Sequence, residues 1–305
     1  MTKKIGFIGL GTMGQVITNR LLAAGYDMTV WNRSRDKADG VLREGAKWAA
    51  SPADVARASD IVFSMVTDSA ASHQVICGPD GVLAGAHPGL IVIDAASIEP
   101  EASLAISEQA KEKGVLMLDA PVSGGPKVAA EGRLGIMVGG PKEAFDTCEP
   151  ILKLLGSMVL YVGSNGKGTT LKLIANLVMG VAIQAAAESL VLAAKANINP
   201  QLVVDITSLP GTGPQTGAMA TRGPRMIQHN FFPAHFSTNN MHKDLTGALK
   251  LAEKYGVSLP TVSAAREMLR AVQSQGNGQI DSSAVVTILE AMANTSVSQQ
   301  AKKAG

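Results

Sequence analysis

The sequence predicts an α/β fold: a doubly wound, mostly parallel sheet in the first half, followed by an all-α second half. Three observations carry this expectation. Short β-rich runs alternate with helix-like stretches up to about residue 163. A glycine pattern follows the first of those runs directly. Beyond residue 163 the alternation stops and long, alanine-rich helical patterns take over.

The first run, residues 4–8, ends in Gly9-Leu10-Gly11-Thr12-Met13-Gly14, and a helix-like stretch over 14–24 follows with Val16, Ile17, Leu21 and Leu22 as its apolar positions. A G-x-G-x-x-G between strand and helix is a dinucleotide-binding fingerprint, whereas a lone one is weak evidence. Gly9 permits the tight turn, Gly11 lets the backbone approach a pyrophosphate, and Gly14 lets the helix pack on the strand. Leu10, Thr12 and Met13 complete the loop. The helix N-terminus aims its N–H groups and positive dipole end at the phosphates.

Residues 28–32 read as the second strand. NAD-binding folds place an acidic residue at its end for the ribose 2′-hydroxyl. This chain has Asn32-Arg33-Ser34-Arg35 there. A carboxylate would repel a 2′-phosphate, whereas a guanidinium pairs with one through its planar fork and Ser34 adds a hydroxyl donor. The alternative is a pair of solvated arginines on a turn. The expected cofactor is NADP(H) in preference to NAD(H).

Further strands are expected at 60–66, 90–94, 115–119, 134–138 and 158–162, and helices at 35–44, 51–58 and 100–113. Ser51 caps the second of these helices, with Pro52 at its first position. The strand at 115–119 runs into Asp119-Ala120-Pro121-Val122-Ser123-Gly124-Gly125-Pro126. That turn can converge N–H groups and a hydroxyl on a small carboxylate, or be a plain Pro/Gly turn; the residues alone weigh equally for both.

From Gly166 to Ala196 the chain is apolar nearly all round and rich in alanine, which predicts a buried helix about 45 Å long at 1.5 Å per residue. Such a helix could bridge two domains and join a subunit interface. Lys172 lies inside it beside Leu171, Leu173 and Ile174, with Asn176 one turn on along the same face. A lysine in that setting either snorkels to water or is held for proton transfer, its pKa lowered by desolvation. Residues 200–208, 243–255, 260–274 and 283–295 also read as helices, 209–238 as a loop rich in Gly, Pro and aromatics, and 299–305 as a frayed tail. The domain division is 1–163 and 164–305.

With 305 residues, 46% hydrophobic and net charge +2, the chain suits a globular protein of two domains. The small charge and 4% aromatic content argue against a nucleic-acid surface. Two cysteines, Cys77 and Cys148, suit a reducing, cytoplasmic compartment. No run approaches 18 uninterrupted apolar residues, so no membrane span is expected. The five histidines lack metal-ligand spacing, so no metal is expected, and His229 and His235 read as ordinary surface or core residues.

Four motifs occur in order: Gly-Phe-Ile-Gly-Leu-Gly-Thr-Met-Gly (6–14), Asp-Ala-Pro-Val-Ser-Gly-Gly (119–125), Gly-x-Gly-x-x-x-Lys-x-x-x-Asn (166–176) and Lys243-Asp244-Leu245. Over nearly its whole length the chain resembles the β-hydroxyacid dehydrogenase family, the group of 3-hydroxyisobutyrate dehydrogenase, tartronate semialdehyde reductase and glyoxylate/succinic semialdehyde reductase. The resemblance implies a Rossmann-type domain followed by a helical one, and reversible hydride transfer between a nicotinamide and a short aldehyde acid or its hydroxy acid. It implies Lys172 as the catalytic residue, Ser123, Gly124 and Gly125 on the substrate carboxylate, and Asn176 assisting at the substrate. It sets Lys243 beside the cofactor at the domain cleft, Ser97 near the nicotinamide, and Val66 and Thr67 on a covering loop. A homodimer or homotetramer is implied too.

Two departures stand out: the family often has Leu-Pro where this chain has Val66-Thr67, and Ser-Thr where it has Ala96-Ser97. The segments 217–220 and 231–236 resemble the glyoxylate/succinic semialdehyde reductase branch more than the 3-hydroxyisobutyrate branch, although Thr221-Arg222-Gly223-Pro224 departs from it. Arg222 and Arg225 are expected to be solvated rather than to meet a second charged group. The alternatives are 3-hydroxyisobutyrate-type or tartronate semialdehyde-type activity, an imine reductase (which Lys172 speaks against), a phosphogluconate dehydrogenase (which would need a larger helical domain and a phosphate-binding site), and a non-catalytic NADP-binding module.

Overall fold

The computed structural model describes residues 3–208 and 217–303. Two compact units emerge, Met1–Lys172 and Leu173–Gly305.

The first unit is built on one sheet. Its strands are β1 (Ile5–Ile8), β2 (Met28–Trp31), β3 (Lys47–Trp48), β4 (Ile61–Ser64), β5 (Ile91–Asp94), β6 (Leu116–Asp119), β7 (Val122–Ser123), β8 (Gly135–Gly139) and β9 (Met158–Gly163). Their spatial order is β3-β2-β1-β4-β5-β6-β8-β7, with β9 paired to β8. Pairing is parallel from β3 through β6, antiparallel from β8 to β6 and β7, and parallel again from β8 to β9. The run 3-2-1-4-5-6 is the doubly wound order, and its direction of growth reverses between β1 and β4, where such sheets bind dinucleotides.

Helices α1 (Thr12–Ala23), α2 (Asp39–Arg43), α3 (Pro52–Arg57), α4 (Ser69–Cys77), α5 (Pro100–Glu112), α6 (Pro126–Ala130) and α7 (Lys142–Leu155) cover the two faces. The alternation in β4 shows why its sequence is apolar throughout. Ile61 and Phe63 join the core that includes Ile17 and Leu21 of α1 and Ile151 of α7, while Val62 joins the core that includes Val55 of α3 and Ile106 of α5. A strand covered on both sides has no polar face to show. Ser51 caps α3 as expected, accepting from Asp54 N–H at 3.1 Å with Pro52 at the first helical position. The sequence reading assigned no element to α4, α6, α7, β3 or β7. The two strands and α6 are too short for a period to register, and Pro150 inside α7 hides its helical spacing.

The second unit follows with α8 (Lys167–Lys195), whose first six residues belong to the first unit, then α9 (Pro200–Ser208), α10 (Gly217–Gln228), α11 (Thr238–Tyr255), α12 (Pro260–Ser274), α13 (Val285–Ala293) and α14 (Val297–Lys303). Three expectations need correction here. Of the loop expected over 209–238, residues 209–216 lie outside the described residues, and 217–228 form a helix. Ala218, Met219, Met226 and Ile227 of that helix are buried at helical spacing that Gly223 and Pro224 disguise. A Cβ on Gly223 would come within 2.8 Å of Val204 Cγ2, so glycine there is what lets α10 approach α9. The tail expected to fray is helical over Val297–Lys303.

The third correction concerns α8. Ile183, Ala186, Ala187 and Leu190 enter the core of the second unit, but Val178 is 63% exposed and Leu192 71%. A helix apolar on every side has one face filled by its own chain and others left open. By length and composition alone α8 could cross a membrane.

Asp281, wholly buried, organises the segment between α10 and α11. It accepts from the backbone N–H groups of His235 at 2.8 Å and Ser283 at 3.1 Å and from the Ser283 hydroxyl at 2.7 Å. Arg222 Nε lies 3.4 Å and Arg225 Nε 3.9 Å from its carboxylate. The two arginine side chains, expected in solvent, are nearly buried because this carboxylate holds them.

Candidate active site

The fingerprint loop takes up the arrangement its glycines foretell. Gly9 has φ +99°, and a Cβ on it would sit 2.3 Å from Met65 O; one on Gly14 would sit 1.9 Å from Gly9 O. Both positions are therefore closed to any side chain. Gly11 differs: a Cβ there would meet nothing within 4 Å, and Gly11 and Thr12 are exposed. The N-terminus of α1 carries no side-chain cap and no acid in its first turn. Open space before an uncapped helix start is the cradle a pyrophosphate requires. Leu10 is buried beneath the loop and Met13 is half-buried, so of the loop residues Gly11 and Thr12 present themselves most openly.

At the end of β2 the Asn32 side chain is committed to the backbone. Its Oδ1 accepts from Leu10 N–H at 2.9 Å and its Nδ2 donates to Ser34 O at 2.8 Å. It ties the Gly9–Gly14 loop to the turn that carries Arg33. Arg35 is engaged as well, 3.6 Å from Asp39 and 5.2 Å above the Trp48 ring. Arg33 is exposed and forms no ion pair among the described residues, so its guanidinium is the one on this turn left for an anion; Ser34 beside it is half-buried.

Val66 is half-buried and Thr67 exposed between β4 and α4, and Thr67 Oγ1 donates to Asp68 Oδ2 at 2.9 Å. Asp68 in turn accepts from Ala71 N–H and so caps α4. Ser97, half-buried, follows β5. Thus Gly9–Gly14, Asn32–Ser34, Val66–Thr67 and Ser97 all follow the carboxyl ends of strands β1, β2, β4 and β5, which are consecutive neighbours in the sheet.

The turn after β6 is held by β7, where Ser123 pairs with Gly135 and its side chain faces solvent. Gly124 has φ +125°, and a Cβ would come within 2.9 Å of Leu134 Cδ2 and Val128 Cγ1. Gly125 precedes α6 with open space around it. Lys172, on α8, is 7% exposed. Asn176, one turn on, is buried in the second unit and donates to Asp244 Oδ2 at 2.5 Å. Asp244 is itself buried, with Lys243 Nζ 3.6 Å from its other oxygen. Asn176, Asp244 and Lys243 therefore form one polar chain.

Two carboxylates beneath these loops escaped the sequence reading. Asp94 and Asp119 are register partners at the ends of β5 and β6, both buried. Asp119 accepts from Gly166 and Thr169 N–H at 2.8 and 2.9 Å. Burial still pushes its carboxyl above the ordinary range, against the pull of those N–H groups. Asp94 accepts from Ala96 N–H at 3.2 Å; burial pushes it up to about 7, with the Asp119 charge adding to the rise. Asp244 escaped too, although it stands next to Lys243 in a quoted motif. An aspartate ending an apolar strand or set in a helix's buried face was the available signal.

Comparison with known proteins now settles the family. The profile described as the NAD binding domain of 6-phosphogluconate dehydrogenase matches residues 4–163. That described as the NAD-binding domain of NADP-dependent 3-hydroxyisobutyrate dehydrogenase matches 166–289. Glyoxylate/succinic semialdehyde reductase 2 of Arabidopsis thaliana is 34% identical over 95% of this chain and 80% of its own. The chain belongs to the β-hydroxyacid dehydrogenase family. The 2-hydroxy-3-oxopropionate reductase of Escherichia coli is 36% identical over 95% of this chain and 98% of its own. A crystal structure of 3-hydroxyisobutyrate dehydrogenase from Salmonella typhimurium superposes with a TM-score of 0.86 at 30% identity, covering 94% of this chain and 99% of that one. The protein is accordingly an NAD(P)-dependent oxidoreductase acting on CH–OH groups, a hydroxyacid dehydrogenase or reductase with a Rossmann-type domain and a helical one.

Proposed function

We propose that this β-hydroxyacid dehydrogenase is an NADPH-dependent reductase of short aldehyde acids, of the glyoxylate or succinic semialdehyde type, with Lys172 as its general acid. The observation that carries the reading is the burial of Lys172 near the start of a helix otherwise apolar around it. A charged amine is kept from water there only where it has polar work to do.

The residues fit a dinucleotide. The loop Gly9–Gly14 would hold the pyrophosphate, Arg33 and Ser34 a 2′-phosphate, and Val66, Thr67 and Ser97 the nicotinamide half. When bound, the reduced nicotinamide supplies the hydride. The chain's own part is to orient the aldehyde and deliver a proton. Ser123, Gly124 and Gly125 take the substrate carboxylate through hydroxyl and backbone N–H donors. Lys172 Nζ gives its proton to the carbonyl oxygen as negative charge develops there, and recovers one from water afterwards. Asn176, fixed by Asp244, offers a neutral dipole that does not compete for that proton.

The NADP(H) preference is supported by the open Arg33 and by the absence of an acid at position 32. The Arabidopsis relative's name supports the substrate class; the Escherichia coli and Salmonella relatives favour tartronate semialdehyde or 3-hydroxyisobutyrate as the second reading. The open apolar side chains of Val178 and Leu192 support a homodimer or homotetramer. Initial rates with NADPH and with NADH, each against glyoxylate, succinic semialdehyde, tartronate semialdehyde and methylmalonate semialdehyde, test the proposal. Highest kcat/KM with NADPH and one of the first two is expected. An NADH preference, or turnover confined to the last two, contradicts the corresponding part.

A further inference from the structure

Asp119 has no part in the chemistry above, yet it stands where two pieces of the proposed site meet within the first unit. Along the chain it lies four residues before Ser123. Through space its carboxylate receives the start of α8: Oδ1 takes the Gly166 N–H at 2.8 Å and Oδ2 the Thr169 N–H at 2.9 Å. These are orphan donors that a helix start must satisfy from outside, and here a residue 47 and 50 positions away satisfies them. A second tie runs alongside, from Asn165 Nδ2 to Met117 O at 2.8 Å.

The glycines around the carboxylate match its position. A Cβ on Gly168 would fall 2.8 Å from Asp119 Oδ2 and 2.5 Å from Met137 O, and one on Gly139 would fall 2.7 Å from Asp119 Oδ1. The first turn of α8 therefore rests directly on the sheet backbone, with no side chain as a spacer. Lys172 is one turn further, about 4.5 Å along the axis from Thr169. Its position relative to the Ser123–Gly125 turn is fixed by how this first turn is seated.

We infer that Asp119 is a positioning residue for proton transfer: by clamping the first turn of α8 to the end of β6, it sets the place of Lys172 against the turn that takes the substrate carboxylate. The inference rests on the proposed role of Lys172. The carboxylate's two acceptors hold two N–H groups at once, fixing both the height and the rotation of the helix. An amide in its place offers one acceptor and turns its NH2 toward the other N–H. A misplacement of about 1 Å costs on the order of 10²-fold in rate.

The test compares wild type, Asp119→Asn, Asp119→Ala and Lys172→Ala with the best substrate of the panel, NADPH affinity being measured separately by fluorescence. Rates are expressed per NADPH-binding site, which removes any fraction that fails to fold. For Asp119→Ala we expect kcat per site to fall about 100-fold and KM for the aldehyde acid to rise, with NADPH affinity unchanged. Asp119→Asn should lie between it and wild type. Should the alanine variant not fold, the asparagine variant carries the test. The inference is overturned if kcat per site and KM in the variants stay within about twofold of wild type, or if activity and NADPH binding fall in parallel, which is the pattern of a fold-wide role. Full activity in Lys172→Ala would remove the reading beneath it, and is distinguishable because it leaves the Asp119 result on its own.

Discussion

The two units bury aspartates in opposite electrostatic company. At the ends of β5 and β6, Asp94 and Asp119 meet backbone N–H groups and each other, and burial pushes both carboxyls up. In the second unit Asp281 is as deeply buried, yet its carboxyl lies below the ordinary range. Burial pushes it up, and the Arg222 guanidinium, Ser283 and the His235 N–H together pull it further down. Burial sets the sign only where the partners are neutral; a guanidinium reverses it. The first unit thus keeps acids whose carboxyls are raised by burial beneath the proposed site, while the second uses an acid held low by its partners as a staple.

Breaking the staple should have the largest effect on stability. Asp281→Ala leaves two nearly buried guanidiniums uncompensated, and about 3–5 kcal/mol should be lost in urea unfolding at pH 7. A loss under about 1 kcal/mol would show that the arginines find water instead. Because the folded carboxyl is depressed, its contribution is present at neutral pH and fades as pH falls through the carboxylate range. Asp94 has the other sign. Raised to about 7, its folded carboxyl stays protonated while the unfolded one ionises near 4, so its contribution to wild-type stability declines as pH rises from about 4 to about 7. Asp94→Asn removes that decline: relative to wild type it should gain between pH 5 and pH 8, by about 2–3 kcal/mol. A constant difference between the two pH values would mean that Asp94 is ionised throughout.

The contrast between committed and open charges extends to the arginines. Arg222 and Arg225 are held by Asp281, and Arg35 by Asp39 and Trp48, whereas Arg33 is open. Arg33→Ala should raise KM for NADPH about 10-fold, in line with one charge-assisted hydrogen bond, and leave that for NADH unchanged. Equal effects on both cofactors would place Arg33 away from a 2′-phosphate. The smallest effect belongs to a neutral cap: Ser51→Ala should cost about 1 kcal/mol, seen as a shift of the urea midpoint without change of slope.

What was legible in the sequence follows the same division. Gly9 and Gly14 announce themselves because only glycine fits the backbone there. The strands buried on both faces read as unbroken apolar runs. Asp119 and Asp244 were silent because their work is done by partners distant in sequence: Gly166 lies 47 residues from Asp119, and Asn176 lies 68 from Asp244. Arg222 and Arg225 were misread for the same reason, since nothing in their neighbourhood announces Asp281. The helix at 217–228 was missed because Gly223 and Pro224 are local signals for a loop, and close packing on α9 overrides them.

The proposed chemistry turns on Lys172 moving the proton. Its most direct test is kcat for NADPH-dependent aldehyde-acid reduction in Lys172→Ala, with NADPH affinity measured on the same sample. A fall of about 10²–10⁴-fold is expected, with NADPH bound as tightly as by wild type. A variant that binds NADPH normally and still turns over at close to the wild-type rate would contradict it.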